Sequence, residues 1–151
     1  MKLQARKSFE GIPYLLSWNL EGAHVARHFF LTVDGVLSEI ASWRPRNCVR
    51  ELDYRNSLYK KLEDAFRTPP TKEYGHARAR ADIAFDKKIA IELKLDLNTP
   101  PKLQRLVGQL DDYSDAFGST IVVLVGSTDR GLYEDVKKKA RDYGNIYVVR
   151  K

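Results

Sequence analysis

A chain of 151 residues with 43% hydrophobic and 30% charged side chains has room for one domain with a buried core, and its composition excludes a disordered polypeptide. Lys and Arg number 26 against 20 Asp and Glu, a net charge of +6 that favours a polyanionic partner but is small enough for solubility alone to explain. The single cysteine, Cys48, excludes a disulfide scaffold and a structural zinc site built on thiolates. The charged start Met1 to Lys7 lacks the apolar stretch of a signal peptide, and no run is long enough to span a bilayer; a cytoplasmic protein without membrane contact is expected.

Residues 1–46 read as an N-terminal extension whose structure stays open. Asp34-Gly35 between apolar stretches is a hairpin signal, whereas Val36, Leu37, Ile40 and Ala41 also suit a helix. His24 and His28 have helical metal-ligand spacing, but Val25-Ala26-Arg27 supplies no zincin glutamate, so no metal role is expected there. From Asn47 onward the hydrophobic period reads helix, strand, strand, helix, strand, helix, strand, which predicts an α/β fold. Asn47 is the expected N-cap of a helix from about Cys48 to Phe66, stopped by Thr68-Pro69-Pro70. Thr71 to Tyr74 is a candidate for an extra strand, and Ala81 to Phe85 and Ile89 to Leu95 are short and β-branched enough to be strands.

Thr99-Pro100-Pro101 opens the next helix, whose apolar stripe is Leu103, Leu106, Val107, Leu110, Tyr113 and Phe117. Ser119 to Val125 reads as a strand buried on both faces. A helix from about Arg130 to Tyr143 ends at Gly144, and Ile146 to Val149 makes a last strand.

The chemistry concentrates between Asp82 and Leu95. Side chains alternate along a strand, so Ile83, Phe85, Ile89, Ile91, Leu93 and Leu95 share one face only if the hairpin pairs Phe85 with Ile89. That register sets Ala84 opposite Ala90 and Asp82 opposite Glu92, with Lys94 two residues along the same face. Opposed like charges are destabilising. A divalent cation such as Mg2+ would reverse the sign of the interaction, and Lys94 would do so in part. The Asp86-Lys87-Lys88 turn lacks the glycine usually favoured at a left-handed position. On the preceding helix, Glu51 lies within roughly 20° of Leu58 and Leu62 and so falls on the inward stripe, whereas Glu63 is about 120° away and is expected in solvent.

These residues resemble the PD-(D/E)XK, or restriction-endonuclease-like, nuclease superfamily. The motif stands here as Asp82 and Glu92-Leu93-Lys94, the helical acid as Glu51, and Gln109-Leu110-Asp111-Asp112-Tyr113 is similar to the Gln-x-x-x-Tyr element of RecB-like members. Ala81, not proline, precedes Asp82. The resemblance covers about residues 47–126 and implies a restriction-endonuclease-like core, a central mixed sheet flanked by helices in αβββαβ order. With the extension, it is read as one nuclease-like domain over 1–151, the catalytic core spanning 47–151.

By this resemblance Asp82, Glu92, the Leu93 carbonyl and Glu51 (directly or through water) would hold Mg2+, or Mn2+, and Lys94 would orient or deprotonate the attacking water. Gln109 and Tyr113 would position metal, water or phosphate, and the reaction would be phosphodiester hydrolysis in DNA. Arg67, Lys72, Arg78, Arg80 and Lys102 are the expected phosphate contacts. Junction resolution, which needs a homodimer presenting two sites, and RecB-like exonuclease action both stay open. So do an RNA-directed nuclease and a non-catalytic nucleic-acid-binding or assembly module that keeps the fold. Taken singly, Glu92-x-Lys94 also describes an ordinary surface ion pair.

Overall fold

The computed structural model describes residues 26–151 and the backbone of two short strands, β1 (Gln4–Ala5) and β2 (Leu16–Ser17), which pair antiparallel. The rest of the N-terminal extension, His24 included, lies outside the described residues. At Asp34-Gly35 the helical reading holds. Helix α1 (Val33–Ser42) starts where the Thr32 side chain accepts from the Gly35 amide at 2.9 Å, and its inward residues Val36 and Ile40 are fully buried.

Helix α2 (Glu51–Ala65) begins three residues later than expected, and Asn47 does not cap it. Asn47 instead takes a left-handed φ of 55°. Asp53, in the first turn, accepts from the Arg50 and Val49 amides at 2.8 and 3.2 Å, so a carboxylate within the helix satisfies the amides that Asn47 was expected to serve.

In the run β3 (Thr71–His76), β4 (Ala79–Phe85) and β5 (Ile89–Leu95) each strand is antiparallel to the next; the candidate strand at Thr71 is a real edge strand. Helix α3 (Pro100–Ala116), strand β6 (Ser119–Val125), helix α4 (Arg130–Tyr143) and strand β7 (Ile146–Arg150) follow, with Gly144 at φ 78° ending α4. β5, β6 and β7 are parallel, and the sheet order is β3-β4-β5-β6-β7. The result is a mixed sheet flanked by helices in the expected αβββαβ order, the α/β class read from the sequence.

The hairpin register is the one that the alternation predicts: Phe85 pairs with Ile89, Ala84 with Ala90 and Ile83 with Ile91. Asp86 supplies the left-handed residue of the turn itself, at φ 50°. Ile83, Phe85, Ile89, Ile91 and Leu93 bury one sheet face against Leu58 and Leu62 of α2 and Ile40 of α1. On the opposite face, Ala84 and Ala90 pack with Tyr113 of α3, and Val122 and Leu124 with Leu106, Leu110 and Val136. Among the described residues no helix is long and apolar enough to cross a membrane.

Candidate active site

The β4–β5 ladder stops at the Ile83–Ile91 pair. Beyond it the amides of β5 that face β4 lack strand partners, and a buried amide without an acceptor is costly. Two carboxylates fill the gap. Asp82 Oδ2 accepts from the Leu93 amide at 2.8 Å, and Glu51 Oε2 accepts from the Leu95 amide at 2.9 Å. The sheet therefore opens where the sequence placed its acids, and the acids close it again with side chains. On the other edge of β4, the β3 register passes from Lys72–Ile83 to Tyr74–Ala81 and skips Glu73, which has a φ of 50°.

Glu92, on β5, is 3% exposed. Its Oε1 is 2.6 Å from Lys94 Nζ, and its Oε2 is 2.5 Å from the Tyr113 hydroxyl. The same hydroxyl is 2.5 Å from the Arg80 carbonyl, so one proton serves two acceptors. Burial, with the Glu92 carboxylate beside it, pushes the Asp82 carboxyl up to about 6, against the downward pull of the Leu93 amide and Lys94. Burial pulls the Lys94 ammonium down, but Glu92, Glu51 and Asp82 outweigh it and hold the proton on more firmly than usual. Three carboxylates act on this lysine, and it is a cation.

Tyr113 departs from expectation. It is 1% exposed and its hydroxyl is engaged by Glu92 and the Arg80 carbonyl, so it is tied to the carboxylate and closed off from solvent. Burial, then Glu92, raises its pKa, which keeps it a proton donor. Gln109 makes no bond to Glu92, Asp82 or Lys94, and its buried Oε1 has no hydrogen-bond partner.

The expected phosphate contacts scatter. Arg67 follows the C-terminal end of α2, roughly 20 Å along the helix from Glu51 at 1.5 Å per residue, and stacks its guanidinium over Phe29. It is not part of the site. Lys72 lies over the Tyr59 ring and donates to Asn56 on the α2 side of the sheet. Arg78 is exposed in the turn between β3 and β4, and Arg80 is exposed with Glu73 3.7 Å away. Lys102 lines a cavity shared with Glu51 and Lys94. Glu63, as expected, faces outward beside Lys60.

Arg55 is the residue the sequence reading missed. One turn after Glu51 on α2, its Nη1 is 3.3 Å from Glu73 Oε1 and 4.0 Å from Asp82 Oδ1, while its Nε is buried without a partner. The i, i+4 spacing from Glu51 was the available signal. His28 bonds to Glu39 at 2.9 Å, which accounts for it structurally.

The donor set around Asp82 is all oxygen: two carboxylates and the Leu93 carbonyl, which by strand geometry leaves β5 on the same edge as the Leu93 amide. Hard oxygen sets of this kind suit Mg2+, which often takes one or two carboxylates and keeps waters. Among the described residues no three His, Cys, Asp or Glu side chains converge to hold a metal ion, and Lys94 stands against Glu92. A divalent ion would therefore compete with Lys94 for Glu92.

No family model matches the chain, and no curated protein matches it. Among solved structures, XPF from Aeropyrum pernix in complex with DNA is similar at 21% identity over 47% of this chain, with a TM-score of 0.41. The match spans 40% of that chain, less than half its length.

Proposed function

We propose that the chain is a metal-dependent nuclease that hydrolyses phosphodiester bonds in DNA. The observation that carries the reading is the meeting of Glu51, Asp82, Glu92 and Lys94 where β4 and β5 part, with two of the acids fixed by main-chain amides. Carboxylates held rigidly and partly out of water, one of them raised toward neutrality by burial and then by a neighbour, are what a cation or a proton would relieve.

Asp82, Glu92 and the Leu93 carbonyl are the residues that would hold Mg2+ or Mn2+. Such an ion, when bound, lowers the pKa of water and offsets charge on the phosphate. Glu51 keeps its carboxylate at the mouth of the site through the Leu95 amide. Lys94, a cation against Glu92, is placed to neutralise phosphate charge and to orient water. Tyr113 fixes the Glu92 carboxylate, and Arg55 spans Asp82 and Glu73.

The hold of Lys94 on Glu92 at 2.6 Å favours a second reading, a nucleic-acid-binding module in which the ion pair is permanent. Incubation with linear, circular, single-stranded and four-way-junction DNA and matched RNA, in Mg2+, Mn2+ or EDTA, separates the two. Cleavage in the divalent ions that stops in EDTA supports the nuclease, and its preferred substrate identifies DNA or RNA. Binding without cleavage on every substrate supports the module.

A further inference from the structure

A cavity of about 230 Å³ opens directly off the site, since Glu51 and Lys94 belong to both; Leu95, Leu97, Lys102 and Arg105 complete its lining. Three of these six residues are cationic and one is acidic. The acid, Glu51, is already engaged by the Leu95 amide, and Lys94 is already engaged by Glu92. Among the described residues Lys102 donates only to neutral groups, the Asp96 carbonyl at 2.8 Å and Asn98 Oδ1 at 3.2 Å, which leave its charge uncompensated. Arg105, one turn further along α3, has no acidic partner among the described residues. Two unneutralised cations at i and i+3 on one helix thus face a small recess beside a row of carboxylates, with Leu95 and Leu97 as apolar wall.

We infer that this recess takes the terminal phosphate monoester of a nucleic-acid strand, and that the protein acts from phosphorylated ends. The inference rests on the nucleic-acid reading of the adjoining site. Charge favours an end over an internal position: a phosphate monoester carries close to two negative charges at neutral pH, against one for a diester, and two cations await it. Arg105 supplies the planar fork that pairs with two phosphate oxygens, and Lys102 a point charge. Arg105 lies outside the Asp82–Glu92–Lys94 motif, and only the cavity brings it to notice.

The test is fluorescence anisotropy, in EDTA, of the full chain with one oligonucleotide bearing a 5′-phosphate, a 3′-phosphate or hydroxyls at both ends. One phosphorylated form is expected to bind about tenfold tighter than the hydroxyl form, about 1.4 kcal/mol. Arg105→Ala and Lys102→Ala each bring that ratio toward one, and Arg105→Lys retains part of it. Equal binding of the three forms, or a ratio that Arg105→Ala leaves intact, overturns the inference. Because the readout needs neither metal nor cleavage, a preserved preference without hydrolysis removes only the nuclease reading, and hydrolysis without a preference removes only this one.

Discussion

The Tyr113 hydroxyl reaches through the sheet face to within 2.5 Å of Glu92 Oε2, from a helix that starts after the strand carrying Glu92 has ended. Its ring stays packed near Phe117, with centroids 5.9 Å apart. Tyr113→Phe keeps the ring and removes the donor, leaving Glu92 Oε2 and the Arg80 carbonyl without it. The variant is expected to lose about 1 to 3 kcal/mol in urea unfolding and to bind Mn2+ about tenfold more weakly. Unchanged stability and metal affinity would show that the contact does no positioning.

Asp82 gives a pH signature. Its carboxyl titrates at about 6 in the folded chain against 3.8 ordinarily, so below about pH 4 both states are protonated and the group costs nothing. As pH rises through 6 the folded chain must carry a charge that burial and Glu92 disfavour, at a cost on the order of 2 to 3 kcal/mol. Asp82→Asn removes that cost, and its amide oxygen can still accept from Leu93. Urea unfolding should therefore find the variant more stable than the wild type at pH 7, with the difference gone by pH 4; a constant difference across that window would contradict the assignment.

Arg55 tests a role no motif suggested. Its guanidinium spans Glu73 and Asp82, so Arg55→Ala leaves Asp82 without that cation beside Glu92 and leaves Glu73 with Arg80 alone. The turnover rate is expected to fall about tenfold with little change in KM for DNA. Arg55→Lys should recover only part, because an ammonium lacks the fork that reaches two carboxylates at once. A rise in KM alone would instead make Arg55 a phosphate contact.

Gly126, at φ 75° after β6, lies where an added Cβ would run into the Asp96 carboxylate, whose Oδ1 accepts from the Ser127 amide at 2.7 Å. Gly126→Ala is expected to cost about 2 kcal/mol through the backbone strain and to loosen the crossover that carries Asp96 and Lys102. A thermal melt equal to that of the wild type would exclude this.

Much of the site was legible because strand alternation is rigid. Once Phe85 and Ile89 share a buried face, Asp82 and Glu92 are brought near each other, close enough for the Glu92 charge to act on Asp82, although the ladder itself ends at Ile83–Ile91 and does not pair them. The inward stripe through Leu58 and Leu62 likewise located Glu51. The parting of β4 and β5 was not legible, since nothing in local propensity announces that Asp82 will replace a strand carbonyl at the Leu93 amide. Nor was the loss of Asn47 as a cap: Asp53 competes for the same amides from inside the helix, and the winner depends on the whole turn. The long cations were placed by sequence proximity alone, and Arg67 shows the limit of that, since proximity in sequence says little about the direction in which a helix has carried the chain.

If Asp82 and Glu92 form a metal-dependent hydrolytic site, the single-turnover cleavage rate of DNA by wild type and Asp82→Asn, each in Mg2+ and in EDTA, reports it. Cleavage by the wild type in Mg2+ only is expected, with a loss of about 100-fold or more in the variant. Equal rates for the two proteins, or cleavage that persists in EDTA, would contradict it.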